Sequence, residues 1–309
     1  MSLVICFNNK DQNAWSKILK EKLPDVDVEI YPHVKDNSRI TFALCWKADN
    51  NILEQFPNLK VVQSVGASID HITSNQNIGP NTKVTRIVDP YLSQDMYEFV
   101  LAAILSHIKQ FQAYHQDQTR ALWQQKPYHT IINTTIGILG AGRIGGHVAT
   151  KLALLGFKVK AWSTSDKTLH QVSCFYGQEG LSDTLRHTDI LVNILPLTGA
   201  TRDMLNYNTL SHLNPKAYLI NVGRGEHLVE SDLIQLLDEG HLSGALLDVF
   251  KEEPLPKQHP FWQHDRIQIT PHVAALTRIN SASDIIVDNY NRMMTDQELI
   301  NEVSIQKGY

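Results

Sequence analysis

The chain has 309 residues, a formal net charge of −4 and three cysteines. That length predicts two domains, each able to bury a core of its own. The mild charge leaves no basic footprint for nucleic acid or an anionic membrane surface, and no apolar run approaches the length of a membrane span.

Cys6, Cys45 and Cys174 lie far apart and share no metal-ligand or CxxC spacing. They predict reduced thiols, no metal site and a cytoplasmic protein. The opening Met1-Ser2-Leu3-Val4-Ile5-Cys6-Phe7 has no basic flank and meets polar Asn8 at once, so it predicts a first strand rather than a signal peptide. Apolar runs at Leu3–Phe7, Val26–Tyr31, Thr41–Trp46, Leu59–Ser64 and Lys83–Val88 predict strands, with helices at Trp15–Leu23 and Ile52–Phe56. A long helical pattern runs from Tyr91 to about Tyr114, with Phe99, Val100, Ala103, Ile104 and Ile108 on its apolar face. The polar stretch Trp123–Asn133 leads out of it. The alternation then restarts, with strands predicted at Ile136–Leu139, Lys158–Trp162, Ile190–Leu195, Ala217–Val222, Gly244–Val249 and Gln268–Thr270. Six strands are the number expected of a dinucleotide-binding sheet. One helix is predicted from about Ala275 to Met294, returning to the first unit. Strands interleaved with helices predict an α/β fold of two doubly wound parallel-sheet domains.

The most informative motif is Gly140-Ala141-Gly142-Arg143-Ile144-Gly145. It follows the strand Ile136–Leu139, opens a helix at Val148–Leu155 and precedes the strand Lys158–Trp162, which is the βαβ setting the motif requires. Gly140 serves the tight turn, Gly142 lets a pyrophosphate approach the backbone, and Gly145 lets the helix lie on the sheet. The helix N-terminus offers N–H groups and a positive dipole end to the phosphates.

Three further clusters fall at strand ends: Asn221-Val222-Gly223-Arg224-Gly225, Asp248 through Pro256, and Thr270-Pro271-His272-Val273-Ala274-Ala275. In open α/β sheets ligands sit beyond the carboxyl ends of the strands. Taken singly, Arg224 reads as a surface arginine in a glycine turn, Glu253 as a solvated charge and His272 as a capping or core histidine. Together they supply a cation, a carboxylate and an imidazole, the set that reduction of a 2-oxo acid needs. Arginine grips a carboxylate and polarises the oxo group through a planar fork. Histidine gives the carbonyl oxygen a proton as hydride arrives, and a neighbouring carboxylate fixes its tautomer and raises its pKa.

At these residues the chain resembles the D-isomer-specific 2-hydroxyacid dehydrogenases, and within them the glyoxylate/hydroxypyruvate reductase A branch. The marks are the glycine motif, Leu195-Pro196-Leu197-Thr198, Asn221–Gly225, Leu247–Pro256, Trp262–Arg278 and the closing Gly308-Tyr309. The resemblance implies a Rossmann cofactor domain at residues 97–276. It implies a flavodoxin-like substrate domain built from residues 1–96 and 277–309, a cleft between the two, and a homodimer. It implies Arg224 as substrate-binding and catalytic, Glu253 as the partner of the histidine, and His272 as general acid/base. It assigns Val65 and Gly66, in a turn that would present N–H donors to an anion, to the substrate carboxylate. Ser68 stands where the family has glycine. Trp46 resembles a pocket-lining residue, and a core aromatic reading stands beside it. Arg143, Ile144, Leu195, Pro196, Thr201, Val222, Gly223, Asp248 and His272 join the glycines as cofactor contacts.

An acid about twenty positions after the glycines normally binds the ribose 2′-OH and repels a 2′-phosphate. Ser163 stands there instead. The resembling branch has basic residues just beyond, whereas this chain has Thr164-Ser165-Asp166-Lys167, one anion against one cation. Ser163, Thr164 and Lys167 therefore predict NADP(H) as the preferred cofactor, by a smaller margin than is usual for the branch, with NAD(H) as the second. The expected reaction is reduction of glyoxylate or hydroxypyruvate to a D-2-hydroxy acid. Its main competitor is a nucleotide-sensing, corepressor-like binding module on the same fold. A formate dehydrogenase fits less well, because that chemistry has no oxygen to protonate.

Overall fold

The computed structural model describes residues 1–304 other than Asn9 and Asn75. The Gly308-Tyr309 match lies outside the described residues. The chain divides into two compact units, Met1–Pro90 with Thr277–Tyr309, and Tyr91–Leu276.

The first unit is a five-stranded, all-parallel sheet in the order β2-β1-β3-β4-β5, made of β1 (Ser2–Phe7), β2 (Asp27–Ile30), β3 (Ile40–Trp46), β4 (Val61–Ser64) and β5 (Lys83–Thr85). This is the flavodoxin-like order expected. All six residues of β1 are buried, as a parallel strand covered on both faces requires. Helix α1 (Gln12–Lys22) starts where the Asp11 side chain accepts the N–H groups of Asn13 and Ala14, and it buries Trp15 and Leu19. Helix α2 (Asp70–Thr73) is a single turn, and Ile52–Gln55 is a 3-10 turn.

The C-terminal helix, Ile279–Met294, does return to this sheet. Lys22 Nζ donates to Ser283 Oγ at 2.8 Å, and Asn289 Nδ2 donates to the buried Gln63 Oε1 at 2.8 Å. Beyond it, the Val303 N–H donates to the Val84 carbonyl at 2.9 Å. The helix begins four residues later than the sequence pattern, at Ile279 rather than Ala275.

The second unit opens with α3 (Pro90–Ile108) and α4 (Phe111–Thr119). The single helix expected here is broken because Gln110 takes φ 62° between the two. The sheet contains β6 (Thr135–Leu139), β7 (Lys158–Ser163), β8 (Ser173–Tyr176), β9 (Ile190–Asn193), β10 (Ala217–Asn221), β11 (Leu242–Leu247) and β12 (Ile267–Ile269). All are parallel, in the order β12-β11-β10-β9-β6-β7-β8. The unpredicted seventh strand, β8, is an edge strand with no fully buried residue, so it lacks the apolar signature of the others. Helices α5 (Arg143–Leu154), α6 (Gly177–Leu185), α7 (Tyr207–Leu210) and α8 (Glu230–Asp238) connect the strands. Two buried clusters cover the sheet. One contains Ile136, Ile138, Val148 and Ile220, the other Leu139, Leu191, Leu219 and Leu247.

The strand order reverses between β6 and β9. Ligands bind beyond the carboxyl ends of strands at such a switch point. Because every strand is parallel, the glycine motif and all three charged clusters leave the sheet from the same edge.

Candidate active site

The three motif glycines answer to different constraints. Gly140 has φ +106°, and a Cβ there would lie 2.8 Å from the Ile194 carbonyl oxygen. A Cβ on Gly145 would lie 1.9 Å from the Gly140 carbonyl oxygen. Both glycines are demanded by the packing of helix on strand. Gly142 is not: it is exposed, and a Cβ on it would meet nothing within 4 Å. It is the N-cap of α5 and provides no side-chain acceptor, so the first N–H groups of the helix have no cap. Open space over a bare helix N-terminus fits a pyrophosphate. Arg143 is exposed and Ile144 half-buried at the same turn.

At the end of β7, the half-buried Ser163 donates its hydroxyl to the Ser165 carbonyl at 2.7 Å. Thr164, Ser165, Asp166 and Lys167 are exposed. No carboxylate stands at position 163 to meet a ribose hydroxyl. After β9, Leu195 is buried and Pro196 half-buried. Thr201, expected as a cofactor contact, is buried, donates to the Pro196 carbonyl at 2.8 Å and accepts the Thr198 N–H at 2.8 Å. It braces this loop from within.

Arg224 is half-buried in the turn after β10, beside buried Val222 and Gly223. Its Nη1 donates to the Gly223 carbonyl at 2.7 Å. A Cβ on Gly225 would lie 2.0 Å from the Phe250 carbonyl carbon, so the arginine turn lies directly against the loop after β11. In that loop the Phe250 N–H donates to Glu253 Oε1 at 3.1 Å, which leaves Oε2 for a partner.

That partner is His272, whose Nδ1 lies 2.8 Å from Glu253 Oε2. A carboxylate only accepts, so Nδ1 carries the proton. Among the described residues Nε2 makes no hydrogen bond, and the side chain is 31% exposed. His272 takes φ 55°, a conformation costly for a residue with a Cβ. Asp248 holds it there. Its carbonyl accepts the His272 N–H at 2.8 Å, while its buried carboxylate accepts the Thr270 hydroxyl at 2.6 Å and the N–H groups of Val273 and Ala274 at 2.9 and 3.0 Å. Asp248 was expected as a cofactor contact. Its observed work is to fix the histidine loop.

In the first unit, the N–H donors expected at Val65 and Gly66 are already engaged. Val65 is fully buried and its N–H donates to the Cys45 carbonyl at 3.4 Å; the Gly66 N–H donates to Ser64 Oγ at 3.2 Å. The half-buried Trp46 lies over Gly66, where a Cβ would come 2.4 Å from the ring. Lys10 Nζ sits 4.6 Å from the centre of the indole, and the His71 ring packs 4.8 Å away. No sequence signal pointed to Lys10 or His71.

Three observations from known proteins accord with this geometry. The model for "D-isomer specific 2-hydroxyacid dehydrogenase, NAD binding domain" matches residues 101–274. The glyoxylate/hydroxypyruvate reductase A of Yersinia enterocolitica is 38% identical over 304 residues, covering 97% of each chain. Two solved structures superpose with a TM-score of 0.93. One is a D-isomer specific 2-hydroxyacid dehydrogenase from Xanthobacter autotrophicus in complex with NADPH and MES, 35% identical and covering 100% of this chain and 99% of its own. The other is the NADPH-dependent glyoxylate/hydroxypyruvate reductase of Sinorhizobium meliloti in complex with NADP and sulfate, 32% identical over the whole of both chains. With a matching dinucleotide turn, a paired imidazole and near full-length relatives, this chain belongs to the D-isomer-specific 2-hydroxyacid dehydrogenases, NAD(P)-dependent oxidoreductases acting on the CH–OH group of 2-hydroxy acids.

Proposed function

We propose that the enzyme reduces small 2-oxo acids, glyoxylate and hydroxypyruvate first among them, to D-2-hydroxy acids with NADPH. The observation that carries this reading is the 2.8 Å pair of Glu253 and His272, with Nε2 left for a substrate oxygen. When bound, the reduced nicotinamide supplies the hydride to the substrate's C2. His272 enters doubly protonated, with Nδ1–H on Glu253 and Nε2–H on the carbonyl oxygen. It gives up the Nε2 proton and ends neutral, with Nδ1–H still held. Glu253 stabilises the imidazolium and fixes its orientation. Arg224 clamps the carboxylate and polarises the carbonyl. Val65, Gly66 and Trp46 are the residues of the first unit that this reading assigns to the substrate.

Residues 97–276 form the dinucleotide domain in this reading, and residues 1–96 with 277–309 the substrate domain. Gly140, Gly142, Arg143, Ile144 and Gly145 hold the pyrophosphate. Ser163, Thr164 and Lys167 hold the 2′-phosphate, and Leu195, Pro196, Val222, Gly223, Asp248 and His272 border the nicotinamide. Relatives bound to NADPH or NADP support the cofactor choice. A complete Arg224, Glu253 and His272 set favours an enzyme over a binding module. The test is a turnover panel of short 2-oxo acids against both reduced cofactors. A clear NADH advantage would mean that Asp166 binds the ribose.

The enzyme works as a cytoplasmic homodimer in this reading. Cys6, Cys45 and Cys174 are free, as in a reducing compartment. Phe111, Leu122, Trp123, Tyr128 and Ile132 are exposed within one stretch of the second unit, a surface suited to a second copy. Light scattering is expected to give twice the chain mass, and Trp123→Glu to shift it toward the monomer. A wild-type monomer would refute the dimer.

A further inference from the structure

Three polar side chains beneath Arg224 take no part in the chemistry above. Asn193 ends β9, Asn221 ends β10, and His227 lies in the 3-10 turn Gly225–His227. Each is fully buried, with 0% exposure. Apolar residues could fill such space without the desolvation cost that buried amides and imidazoles carry. What the polar groups supply is directional bonding.

The bonds converge on the Arg224 backbone. Asn193 Nδ2 donates to Asn221 Oδ1 at 2.9 Å and to His227 Nδ1 at 2.9 Å. The Arg224 N–H donates to the same His227 Nδ1 at 3.1 Å. With two donors facing it, Nδ1 must hold a lone pair. The proton therefore sits on Nε2, which donates to the Pro196 carbonyl at 3.2 Å. From the other side, Asn221 Nδ2 donates to the Arg224 carbonyl at 3.1 Å, and Asn221 Oδ1 accepts the Gly223 N–H at 3.2 Å. Both polar ends of the Arg224 residue are thus gripped. Gly223 permits this closeness, since a Cβ there would lie 2.8 Å from Asn193 Nδ2.

We propose that His227 is a positioning residue, a neutral imidazole that ties the Arg224 backbone to the Pro196 loop and sets where the guanidinium meets the substrate. The proposal rests on the reading of Arg224 as the oxo-acid clamp. A reacting group displaced by about 1 Å can cost ~10²-fold in rate.

The test is steady-state kinetics of the full-length enzyme with glyoxylate and NADPH, together with NADPH affinity from nucleotide fluorescence. His227→Leu is expected to lower kcat/KM by about 10²-fold, mostly through a higher KM for the oxo acid, with NADPH binding retained. His227→Gln, which keeps an acceptor, is expected to recover part of the loss. In an Arg224→Lys background, His227→Leu is expected to add little, because both changes act through one side chain. Should His227→Leu fail to fold, Asn193→Ala is read in its place, with the same expected pattern. Wild-type kcat and KM in the variants, or equal losses in both backgrounds, would overturn the proposal. A wild-type enzyme that reduced no 2-oxo acid is a different outcome, and would overturn the role of Arg224 itself.

Discussion

His272 combines two features that rarely coincide without a purpose. Its backbone is held at φ 55°, and its ring is held by Glu253 at 2.8 Å. Left-handed backbone at a residue with a Cβ costs about 1–3 kcal/mol and persists only where neighbours enforce it. The enforcing group is the buried Asp248, through three bonds to its carboxylate and one to its carbonyl. His272→Ala is expected to lower kcat by roughly 10²–10⁴-fold while NADPH still binds, since general acid catalysis is usually worth that much. Glu253→Gln is expected to lower kcat with little change in KM, because the imidazolium loses its counter-charge but the arginine clamp remains. Steady-state kinetics on both variants checks this. A Glu253→Gln enzyme with unchanged kcat would show that the pair is only structural.

Among the elements, the parallel strands were the most legible from sequence. Strands covered on both faces read as continuous apolar runs, and Ile190–Asn193 and Ala217–Asn221 are buried throughout. Edge strand β8 was invisible for the opposite reason. The break at Gln110 was missed because apolar spacing runs through Phe111, so periodicity alone could not register a single left-handed residue. Arg224, Glu253 and His272 were legible through their positions at strand ends. The buried partners Asn193 and His227 were not, since their bonds depend on the parallel register of β9 and β10, and Asp248 was legible as a strand-end residue but not as the brace of the histidine loop. The glycine turn makes its own prediction. Gly145→Ala is expected to destabilise the fold, because its Cβ would strike backbone at 1.9 Å. Gly142→Ala is expected to fold normally and lose NADPH affinity. Thermal melts and binding titrations separate the two, and normal NADPH affinity in Gly142→Ala would place the phosphates elsewhere.

Helix α3 is joined to the sheet by His107, which stacks on Tyr218 of β10 with ring centres 3.9 Å apart. Burial, aided by nearby His129, lowers the His107 pKa from 6.5 to about 4. The unfolded chain therefore takes up a proton below about pH 6.5, which the folded chain refuses until about pH 4. The stabilising contribution is complete above that window and is lost as pH falls through it. Melting temperatures of His107→Phe and the wild type should converge or cross as pH drops from 6.5 toward 4. Parallel curves would contradict a buried neutral imidazole.

At the scale of the whole molecule, each sheet sends its loops out from the carboxyl ends of parallel strands, and the second unit gathers dinucleotide turn, arginine, carboxylate and histidine on one such edge. In the proposed reaction this edge reduces a 2-oxo acid with a proton from His272. The most direct measurement is loss of NADPH absorbance on mixing with glyoxylate, compared between wild type and His272→Ala at equal cofactor occupancy. Rapid loss in the wild type and a rate at least ~10²-fold lower in the variant are expected. Equal rates in the two enzymes, or no loss with any short 2-oxo acid, would contradict it.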